Sequence, residues 1–570
     1  MISNLEKYYS PEIELLIICA RTKLNSEKST RLKELLQKNI NWEYLINLAR
    51  RNKVLPLLYW HLASICSTLV PEIYMSQLKF YFHKNSRSNL YITKELLKIL
   101  KVFEENKIPA IPYKGPVLAH SIYGNLALRE FSDLDILIQK KDFYKTKELL
   151  YKEGYYSDRD LDISQEKASL QYYCDFTFSR DDDIYLEIHW DILNRYFSIP
   201  FNTKLFFERF ERVSLASEAV TSFSPEVLLL VLCIQGAKYY WKTLGSICDI
   251  AELINVKKNI NWDWVFKYAS TLGIKRILCL GLFLARDLLE ADLPNEILQK
   301  IQVAHLPKTV VPQIYARLFG SPKGWPEPIE VCLFQLKVRD RLIDKITYFL
   351  RYALTPSLGD WQFVHLPEHL YLLYYLIRPI RLVGKYIFRL FGGEMLSAYE
   401  KTPIEVIDKM LELAKVGPLD IVYDLGCGDG RVVIRAAKKY GACGIGIDID
   451  PKRIEESKIN AYKEGVEQLV KFIKHDALTM DFSSATVIIF FLNFLVTPEV
   501  GRHLQKQLKV GTRILSHCSY LREWTPSKTQ IMQEANGHIH TLYLWEVEKS
   551  QVQPKQKNAQ EALSSISNSS

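Results

Sequence analysis

The feature of the sequence that most constrains its fold is a regular alternation of helix-like and strand-like segments after Thr402. Helical periodicity in PIEVIDKMLELAKV, RVVIRAAKKY and PKRIEESKINAYKEG alternates with the apolar runs IVYDL, CGIGIDI, VKFIKHD and ATVIIFFLN. Alternation of this kind predicts a parallel, doubly wound α/β sheet. Ligands of such sheets bind beyond the carboxyl ends of the strands, so ligand-binding residues are expected there.

A glycine-rich turn, in VYDLGCGDGR, lies between the first strand and the following helix. The turn contains three glycines: Gly426, Gly428 and Gly430. They permit a tight turn and a close backbone approach to a ligand, and the helix N-terminus offers unpaired N–H groups. Asp424, Asp448 and Asp476 end three successive strands. Acids at this place repel a pyrophosphate but suit a cationic sulfonium and an ammonium group. Asp448 can accept hydrogen bonds from ribose hydroxyls, and Asp476 from an adenine amino group.

The motifs DLGCGDG, GIDIDP, HDAL and FFLN, within about residues 402 to 548, resemble those of the class I S-adenosylmethionine-dependent methyltransferases. The resemblance implies a Rossmann-like fold and S-adenosylmethionine as cofactor. The implied cofactor contacts are Asp424, Gly426, Cys427, Gly428, Gly430, Asp448, Asp476 and Ala477. It also places Asn493 at the fourth strand end, where many members hold the methyl acceptor, and a strand-end cap is the alternative role.

The methyl acceptor is left open between a protein lysine and a small molecule. MLELAKV and YLREWTP are similar to a subfamily that includes protein-lysine methyltransferases. Asn493 is followed by Phe494 and Leu495, and not by the Pro-Pro-aromatic sequence of enzymes that methylate nucleic-acid amines. No specific nucleic-acid partner is therefore predicted. His517 is interpreted as a packed strand-end residue rather than a base.

The remaining chain changes character several times, which predicts a multidomain protein. The expected segments are a helical entry region (1–100), a small α/β domain (101–223), a helical domain with a linker (224–395), the methyltransferase domain (396–548) and a disordered tail (549–570). The boundary is expected near Gly392-Gly393. The phrase Asn-Ile-Asn-Trp occurs twice, and Asn41 and Asn261 are predicted to be helix N-caps.

A set of carboxylates marks the α/β domain. Asp133 and Asp135, in SDLDILI, are two residues apart on a strand and therefore share a face. Glu187, in IYLEIHW, reaches the same face if its strand pairs nearby. Three carboxylates suit Mg²⁺ and two-metal phosphoryl or nucleotidyl transfer. Lys114-Gly115 and Arg129 are candidate phosphate contacts. An exposed polar pair at a strand end is the alternative interpretation.

The order K-G, then R, then D-x-D resembles an uncharacterised bacterial family of the polymerase-β-type nucleotidyltransferases, an α+β fold, over about residues 10 to 390. The resemblance implies that Asp133 and Asp135 bind metal and that Glu187 is the third acid, which helps to activate the acceptor. It implies an NTP and a hydroxyl acceptor as substrates. Lys114-Gly115 stands where better-known members have Gly-Gly-Ser or Gly-Ser. A nucleotide-sensing or substrate-docking module without turnover is the alternative function.

Several polar residues near this domain carry weaker predictions. Residues 181–183, three consecutive aspartates, are expected in a solvated hairpin turn. His189 and Trp190 are interpreted as packing residues rather than ligands. Asp249 and Lys238 either face the nucleotide site or form a salt bridge on a helix surface.

Charge and cysteine content narrow the remaining partners and the compartment. The net charge of +9 over 570 residues does not by itself indicate a nucleic-acid binder. Ten scattered cysteines, without a C-x-x-C pair, and an opening without a basic-then-apolar pattern make the cytoplasm the expected compartment. Basic residues among apolar ones in residues 370–391 fit either peripheral contact with a membrane or a cover over a domain junction. They are Arg378, Arg381, Lys385 and Arg389.

Overall fold

The computed structural model describes most of the chain. The described residues are 10–157, 163–180, 184–304, 307, 309–320, 328–357, 360–361, 364, 366, 368–390, 402–477, 479–491, 501, 503–504, 507–517, 521, 526–533 and 539–547. Four predictions lie outside them: those for Asn493, Gly392-Gly393, residues 181–183 and the tail at 549–570. Internal contacts divide the chain into two units, Met1–Ile387 and Phe388–Ser570.

The first unit begins with helices, as the periodicity predicts. They are α1 (Pro11–Cys19), α2 (Ser26–Leu36), α3 (Trp42–Arg51), α4 (Leu55–Ile65) and α5 (Glu72–Glu105). The side chain of Asn41 accepts a hydrogen bond from the N–H of Tyr44 at the start of α3. Asn261 does the same with Trp264 in a later helix. Both predicted N-caps are therefore confirmed.

A five-stranded sheet follows these helices. Its elements are β1 (Ala110–Pro112), α6 (Gly115–Ser121), β2 (Asp133–Ile138), α7 (Phe143–Lys152), β3 (Tyr156–Ser157), α8 (Ile163–Tyr172), β4 (Asp175–Arg180) and β5 (Ile184–His189). The strand order is β1-β2-β5-β4-β3, in which β2 and β5 are parallel and the other pairs are antiparallel. Leu134, Ile136, Leu186 and Ile188 are buried in one apolar cluster. The alternate residues of β2 and β5 therefore share the opposite face.

A short hairpin and a second set of helices complete the first unit. They are α9 (Thr203–Glu208), β6 (Phe210–Leu215), β7 (Glu218–Phe223), α10 (Pro225–Lys238), α11 (Leu244–Val256), α12 (Trp262–Leu272), α13 (Lys275–Leu289), α14 (Asn295–Val303), α15 (Val310–Phe319), α16 (Pro328–Val338), α17 (Leu342–Leu354) and α18 (Tyr374–Leu390). Leu15 and Leu45 from the early helices and Leu230 and Leu253 from the later ones lie in one buried cluster. Helices from before and after the sheet therefore share a core.

Two of the basic residues in 370–391 are bound within the first unit. Arg378 Nη1 lies 3.0 Å from Asp360 Oδ2, and Arg381 Nε lies 2.5 Å from Asp360 Oδ1. Asp360 is fully buried, and Arg378 Nε also donates to the carbonyl of Tyr352 at 3.1 Å. The side chains of Lys385 and Arg389 lie outside the described part. In the described ranges, no helix is both long enough and apolar enough to cross a membrane.

The second unit is an α/β sheet with helices between its strands. Its elements are α19 (Ile404–Leu413), β8 (Ile421–Leu425), α20 (Arg431–Tyr440), β9 (Cys443–Asp448), α21 (Pro451–Lys463), β10 (Val470–Lys474), β11 (Val487–Phe490), β12 (Arg513–His517), β13 (Lys528–Gln533) and β14 (Ile539–Glu546). The order is β10-β9-β8-β11-β12-β14-β13. The first five strands are parallel, which confirms the predicted fold class, and β14 runs antiparallel to both of its neighbours.

Candidate functional sites

The glycine-rich turn lies at the carboxyl end of β8, beside the point where the strand order reverses. Its glycines all have positive φ: 78° at Gly426, 54° at Gly428 and 80° at Gly430. Side chains rarely tolerate this conformation, and a Cβ at Gly430 would lie 2.7 Å from the ring of Phe472. The N–H of Cys427 donates to the carbonyl of Ile447 at 2.9 Å. The turn is therefore fixed to β9.

Asp448 ends β9 and holds the turn through its carboxylate. Oδ2 accepts a hydrogen bond from the N–H of Gly428 at 3.0 Å, and Oδ1 accepts one from the N–H of Asp450 at 2.9 Å. On the neighbouring strand β10, Lys474 pairs with Asp448, and Asp476 and Ala477 follow at the strand end. The predicted ribose and adenine contacts thus lie at adjacent strand ends.

Asp424 lies at the centre of an acidic cluster under the turn. Its side chain is buried, with 3% of the residue exposed. Burial, followed by the charges of Asp448 and Asp429, raises the pKa of Asp424 to about 8. No basic side chain of the described residues forms an ion pair with it. Without a cationic ligand, the carboxyl group is therefore mainly neutral at pH 7.

A cleft beside the turn contains a pair that sequence reasoning missed. The cleft is lined by Thr402, Asp424, Gly426, Cys427, Asp429 and Arg431, together with residues of α19, α20 and the end of β11. Arg431 Nη2 lies 2.6 Å from Asp429 Oδ2, and Arg431 Nη1 donates to the carbonyl of Thr402 at 3.0 Å. The acidic and basic residues within DGR are the signal that pointed to this pair.

His517 is buried at the end of β12, where the sequence interpretation places a packed histidine. Its Nε2 lies 2.8 Å from Nδ1 of His540, and the ring of Phe491 lies 4.2 Å away, measured between centroids. His540 comes from the antiparallel strand β14, which the periodicity did not predict. Local sequence therefore contains no signal for this pair.

The three predicted carboxylates of the first unit lie together on one face of its sheet. Asp135 on β2 is the register partner of Glu187 on the parallel strand β5, and Asp133 precedes Asp135 on the same face. Asp135 is 4% exposed. Burial by itself raises the pKa of Asp135, but Lys114 and His189 outweigh it and hold the pKa below its ordinary value. Burial and the charge of Asp135 raise the pKa of Asp133.

His189 belongs to the same cluster, although its sequence context suggested packing. Its Nε2 lies 3.3 Å from Asp135 Oδ1 and 3.2 Å from Glu187 Oε2. Burial lowers the pKa of His189, but Asp135, Cys174 and Glu187 raise it well above its ordinary value. Glu187 and His189 are two residues apart on β5. That spacing was the signal that could have placed the histidine beside the acids.

Lys114 and Gly115 approach the carboxylates from the start of α6. Lys114 Nζ lies 2.8 Å from Asp135 Oδ1. Gly115 has φ of 50°, and a Cβ there would lie 3.2 Å from the carbonyl oxygen of Asp133. The glycine is therefore required by the close approach of the loop to β2. The ammonium group of Lys114 pairs with the acid that is expected to bind metal.

Arg129 is held by an acid from another helix. Its Nε and Nη2 donate to Oδ1 and Oδ2 of Asp249 on α11, each at 2.9 Å, and the hydroxyl of Tyr123 donates to Oδ1 at 2.7 Å. Asp249 therefore makes a tertiary ion pair rather than a salt bridge along its own helix. Lys238 lies near Asp175 and Cys174, whose charges, with that of Tyr239, raise its pKa against the effect of burial.

A cavity of about 340 Å³ connects these groups. One wall carries the carboxylates, and other parts carry four cations: Lys53, Lys114, Arg129 and Lys242. Burial, together with the charge of Lys53, lowers the pKa of Lys242 to about 8. Acids that hold a cation and amines that repel each other in the empty cavity suit a ligand with both a metal and an anionic group.

Comparison with known proteins decides what the second unit is. Residues 424–528 match the family model described as the ANTKMT methyltransferase domain. A protein-lysine N-methyltransferase of Saccharolobus islandicus (strain REY15A) is 41% identical over 148 residues, which are 26% of this chain and 91% of that protein. The chain belongs to the class I S-adenosylmethionine-dependent methyltransferases. The match places this methyltransferase's glycine-rich turn within the family model.

Other relatives of this methyltransferase are covered less completely. A Rattus norvegicus enzyme, named as the lysine N-methyltransferase of an ATP synthase component, is 29% identical over 27% of this chain and 66% of its own length. The Homo sapiens protein of the same name is 32% identical over 22% of this chain and 51% of its own length. An RNA methyltransferase from Salinibacter ruber, solved in complex with S-adenosyl-L-homocysteine, is 39% identical and covers 28% of this chain and 98% of its own, with a TM-score of 0.25.

The methyltransferase carries a second domain in its first unit. Residues 38–290 match the family model described as an uncharacterised nucleotidyltransferase. The match spans the carboxylate cluster, Lys114 and Arg129, so the predicted fusion of two transferase-like parts is confirmed. The roles of the individual site residues stay predictions. The structure brings Asp133, Asp135, Glu187 and Lys114 together in one cavity and pairs Arg129 with Asp249.

Proposed function

We propose that the second unit methylates lysine side chains of proteins. The observation that carries this proposal is the 41% identity to a protein-lysine N-methyltransferase across 91% of that protein's length. S-adenosylmethionine, when bound, supplies an electrophilic methyl group on a cationic sulfur. The lysine nitrogen forms the new C–N bond as the C–S bond breaks, and the nitrogen loses a proton. Alignment of these atoms supplies most of the rate.

The residues present fit this cofactor. The turn from Gly426 to Gly430 has the backbone conformation that a closely approaching ligand requires. Asp448 has both oxygens fixed by backbone N–H groups and retains lone pairs for ribose hydroxyls. Asp424 is a buried acid beside two other carboxylates, and a cationic ligand would restore its charge. In this proposal Asp476 and Ala477 contact the adenine, and Asn493 contacts the acceptor.

The affinity for S-adenosylmethionine should rise with pH up to about pH 8. Asp424, with a pKa of about 8 in the folded protein, has to lose a proton before it pairs with a cation. Each pH unit below this value therefore costs up to about 1.4 kcal/mol, or about tenfold in affinity. The same raised pKa favours the neutral carboxyl in the ligand-free fold, so its stability should fall as pH rises from about 4 to about 8.

Calorimetric titration between pH 6 and pH 9 measures this dependence, and buffers of different ionisation enthalpy count the released protons. The Asp424→Asn variant is the matched control. It retains the titration of the ligand's own ammonium group but should lose the additional proton release. An affinity that does not change with pH in the unmodified chain, or an equal slope in the variant, contradicts the role given to Asp424.

We further propose that the first unit transfers a nucleotidyl group from an NTP to a hydroxyl acceptor, with Mg²⁺. The supporting observation is the face shared by Asp133, Asp135 and Glu187 in a cavity with a cationic wall. The acceptor oxygen forms a bond with the α-phosphorus, the bridging P–O bond to the β-phosphate breaks, and pyrophosphate leaves. Asp133 and Asp135 hold the ion, and Glu187 takes the proton of the hydroxyl group.

One observation favours the alternative of a nucleotide-binding module without turnover. Lys114 and Arg129, the two predicted phosphate contacts, are both paired with acids of the same unit. Lys53 and Lys242 are then the cations that line the cavity beside them. A module of this kind would bind Mg-NTP and release no pyrophosphate.

A single substitution should separate the two halves. Asp133→Ala removes one predicted metal ligand, and we expect pyrophosphate release to fall by at least about 100-fold. Transfer of tritium from labelled S-adenosylmethionine to protein lysine should stay within twofold, because Asp133 lies in the first unit. The measurements are pyrophosphate release in the presence of an extract of small acceptors and detection of methyl-lysine in hydrolysed protein.

The outcomes discriminate between the hypotheses. Mg-NTP binding without pyrophosphate release supports the binding module over the transferase. Label recovered in small molecules or RNA, and absent from lysine, contradicts protein-lysine methylation while leaving methyl transfer intact. The corresponding control for the second unit is a variant of its turn, which should lose labelling and retain nucleotide binding.

A further inference from the structure

We propose that Asp135, Glu187 and His189 form a binding site for a first-row transition-metal ion, in addition to the Mg²⁺ that accompanies a nucleotide. The site lies on the sheet face of the proposed nucleotidyl-transfer cleft, and in that sense it rests on the proposed function. Metal binding itself does not require turnover. Its distinguishing ligand is the imidazole of His189, since the other two ligands are carboxylates.

His189 is buried among the acids without satisfying its own polar atoms. It is 2% exposed, and among the described residues neither ring nitrogen has a partner with the geometry of a hydrogen bond. A buried imidazole without partners costs free energy, and a ligand that satisfies Nε2 removes part of that cost. Nε2 faces the two carboxylates across 3.3 and 3.2 Å. The three groups therefore converge on one space.

The separations match those of ligand atoms around one ion. Atoms bound at about 2.1 Å to the same ion lie about 3.0 Å apart at octahedral angles and about 3.4 Å apart at tetrahedral angles. Nε2 lies between these limits from both carboxylate oxygens, at 3.3 and 3.2 Å. One ligand atom from each of the three residues falls within 4.8 Å of the other two. Rotation of the carboxylates is then sufficient to complete the coordination.

The charge of the cluster suits a divalent cation. Asp133, Asp135 and Glu187 bring three negative charges when ionised, and Lys114 brings one positive charge at 2.8 Å from Asp135. A divalent ion bound to a neutral imidazole brings the total to zero. Asp135 and Glu187 also line the cavity, so an ion can reach them from it.

The chemistry of imidazole decides the class of ion. Mg²⁺ prefers oxygen ligands and keeps its waters, whereas Co²⁺ and Zn²⁺ bind imidazole well. For a site with a nitrogen ligand, affinity rises from Mn²⁺ through Co²⁺. His189 should therefore increase the affinity for transition metals and leave the affinity for Mg²⁺ almost unchanged.

A second set of ligands shares His189 and is the structural competitor. Cys174, Asp175 and His189 also lie within 4.8 Å of one another. The Sγ of Cys174 donates to Asp175 Oδ2 at 3.1 Å, so these two groups already bind each other. Asp135 and Glu187 face the cavity, which gives their set a path for the ion.

The test uses the full chain without an affinity tag, freed of metal and held at pH 8. Equilibrium dialysis measures the affinities for Mg²⁺, Mn²⁺ and Co²⁺, and pulsed electron paramagnetic resonance of bound Mn²⁺ detects nitrogen ligands. We expect one high-affinity ion per chain, Co²⁺ bound at least tenfold more tightly than Mg²⁺, and the modulation of one imidazole nitrogen. His189→Gln should remove the modulation and weaken Co²⁺ at least tenfold, with less than threefold change for Mg²⁺.

The matched control is His83→Gln, an exposed histidine on α5, which should change none of these values. Absence of nitrogen modulation in the unmodified chain overturns the proposal, and so does its persistence in His189→Gln. A thiolate-to-metal absorption band with Co²⁺ overturns the assigned ligands in favour of the set with Cys174. The spectrum of the unmodified chain decides even if the variant fails to fold. Pyrophosphate release, measured separately, tests nucleotidyl transfer whichever result the metal gives.

Discussion

Asp448→Ala should weaken the binding of S-adenosylmethionine at least about 100-fold. The carboxylate accepts hydrogen bonds from Gly428 N–H and Asp450 N–H, at 3.0 and 2.9 Å, and is proposed to hold the ribose as well. Hydrogen bonds to a charged group are worth about 1.5 to 3 kcal/mol each, so loss of two ligand contacts costs at least about 3 kcal/mol. Isothermal titration with the cofactor, or with S-adenosylhomocysteine, measures the change.

Asp450→Ala is the matched control for this prediction. Asp450 is the N-cap of α21 and accepts a hydrogen bond from the N–H of Lys452 at 2.8 Å. Its loss should reduce stability by about 1 kcal/mol and change the affinity less than threefold. Equal affinity losses in both variants would show that the effect of Asp448 is a general loosening of the strand end. Unchanged affinity in Asp448→Ala would remove this residue from the cofactor site.

The sequence predicted the second unit well because its signals are local. A strand, a turn with three glycines and a helix follow one another directly, and β9 places Asp448 a fixed distance beyond them. Parallel strands with short crossovers then bring successive strand ends together without further information. The antiparallel strands β13 and β14 are different, because their pairing with β12 depends on the register of segments far apart. The His517 and His540 pair could not be predicted for that reason.

The carboxylate site of the first unit was predicted in part. The two-residue spacing of Asp133 and Asp135 fixes their common face, but their position beside Glu187 depends on β2 pairing with β5. His189 was misinterpreted because a histidine before a tryptophan at a strand end is more often a packing residue. The burial and charge around it come from other strands and from Lys114. Such an environment is a property of the assembled sheet rather than of the segment.

Asp249→Ala should lower the free energy of unfolding of the first unit by about 3 to 5 kcal/mol. Asp249 is 5% exposed and accepts two hydrogen bonds from Arg129 and one from Tyr123. Removal of one partner leaves a buried guanidinium group uncompensated, and this is the costly way to break a buried ion pair. The partners are 120 residues apart in sequence, so the pair also connects α11 to the segment before β2. Native-state hydrogen exchange of peptides from α11, in increasing urea, measures the loss within the full chain.

The double variant Arg129→Met with Asp249→Leu tests the physical reason for this loss. Apolar residues of similar volume can replace a buried ion pair at little cost, so most of the stability should return. If the double variant also binds Mg-NTP as the unmodified chain does, Arg129 serves the fold and its predicted phosphate contact is not needed. If binding falls at least tenfold while stability is restored, the guanidinium group exchanges Asp249 for phosphate when the nucleotide enters. A loss below about 1 kcal/mol in Asp249→Ala would contradict the structural role, because an exposed pair has a value of that size.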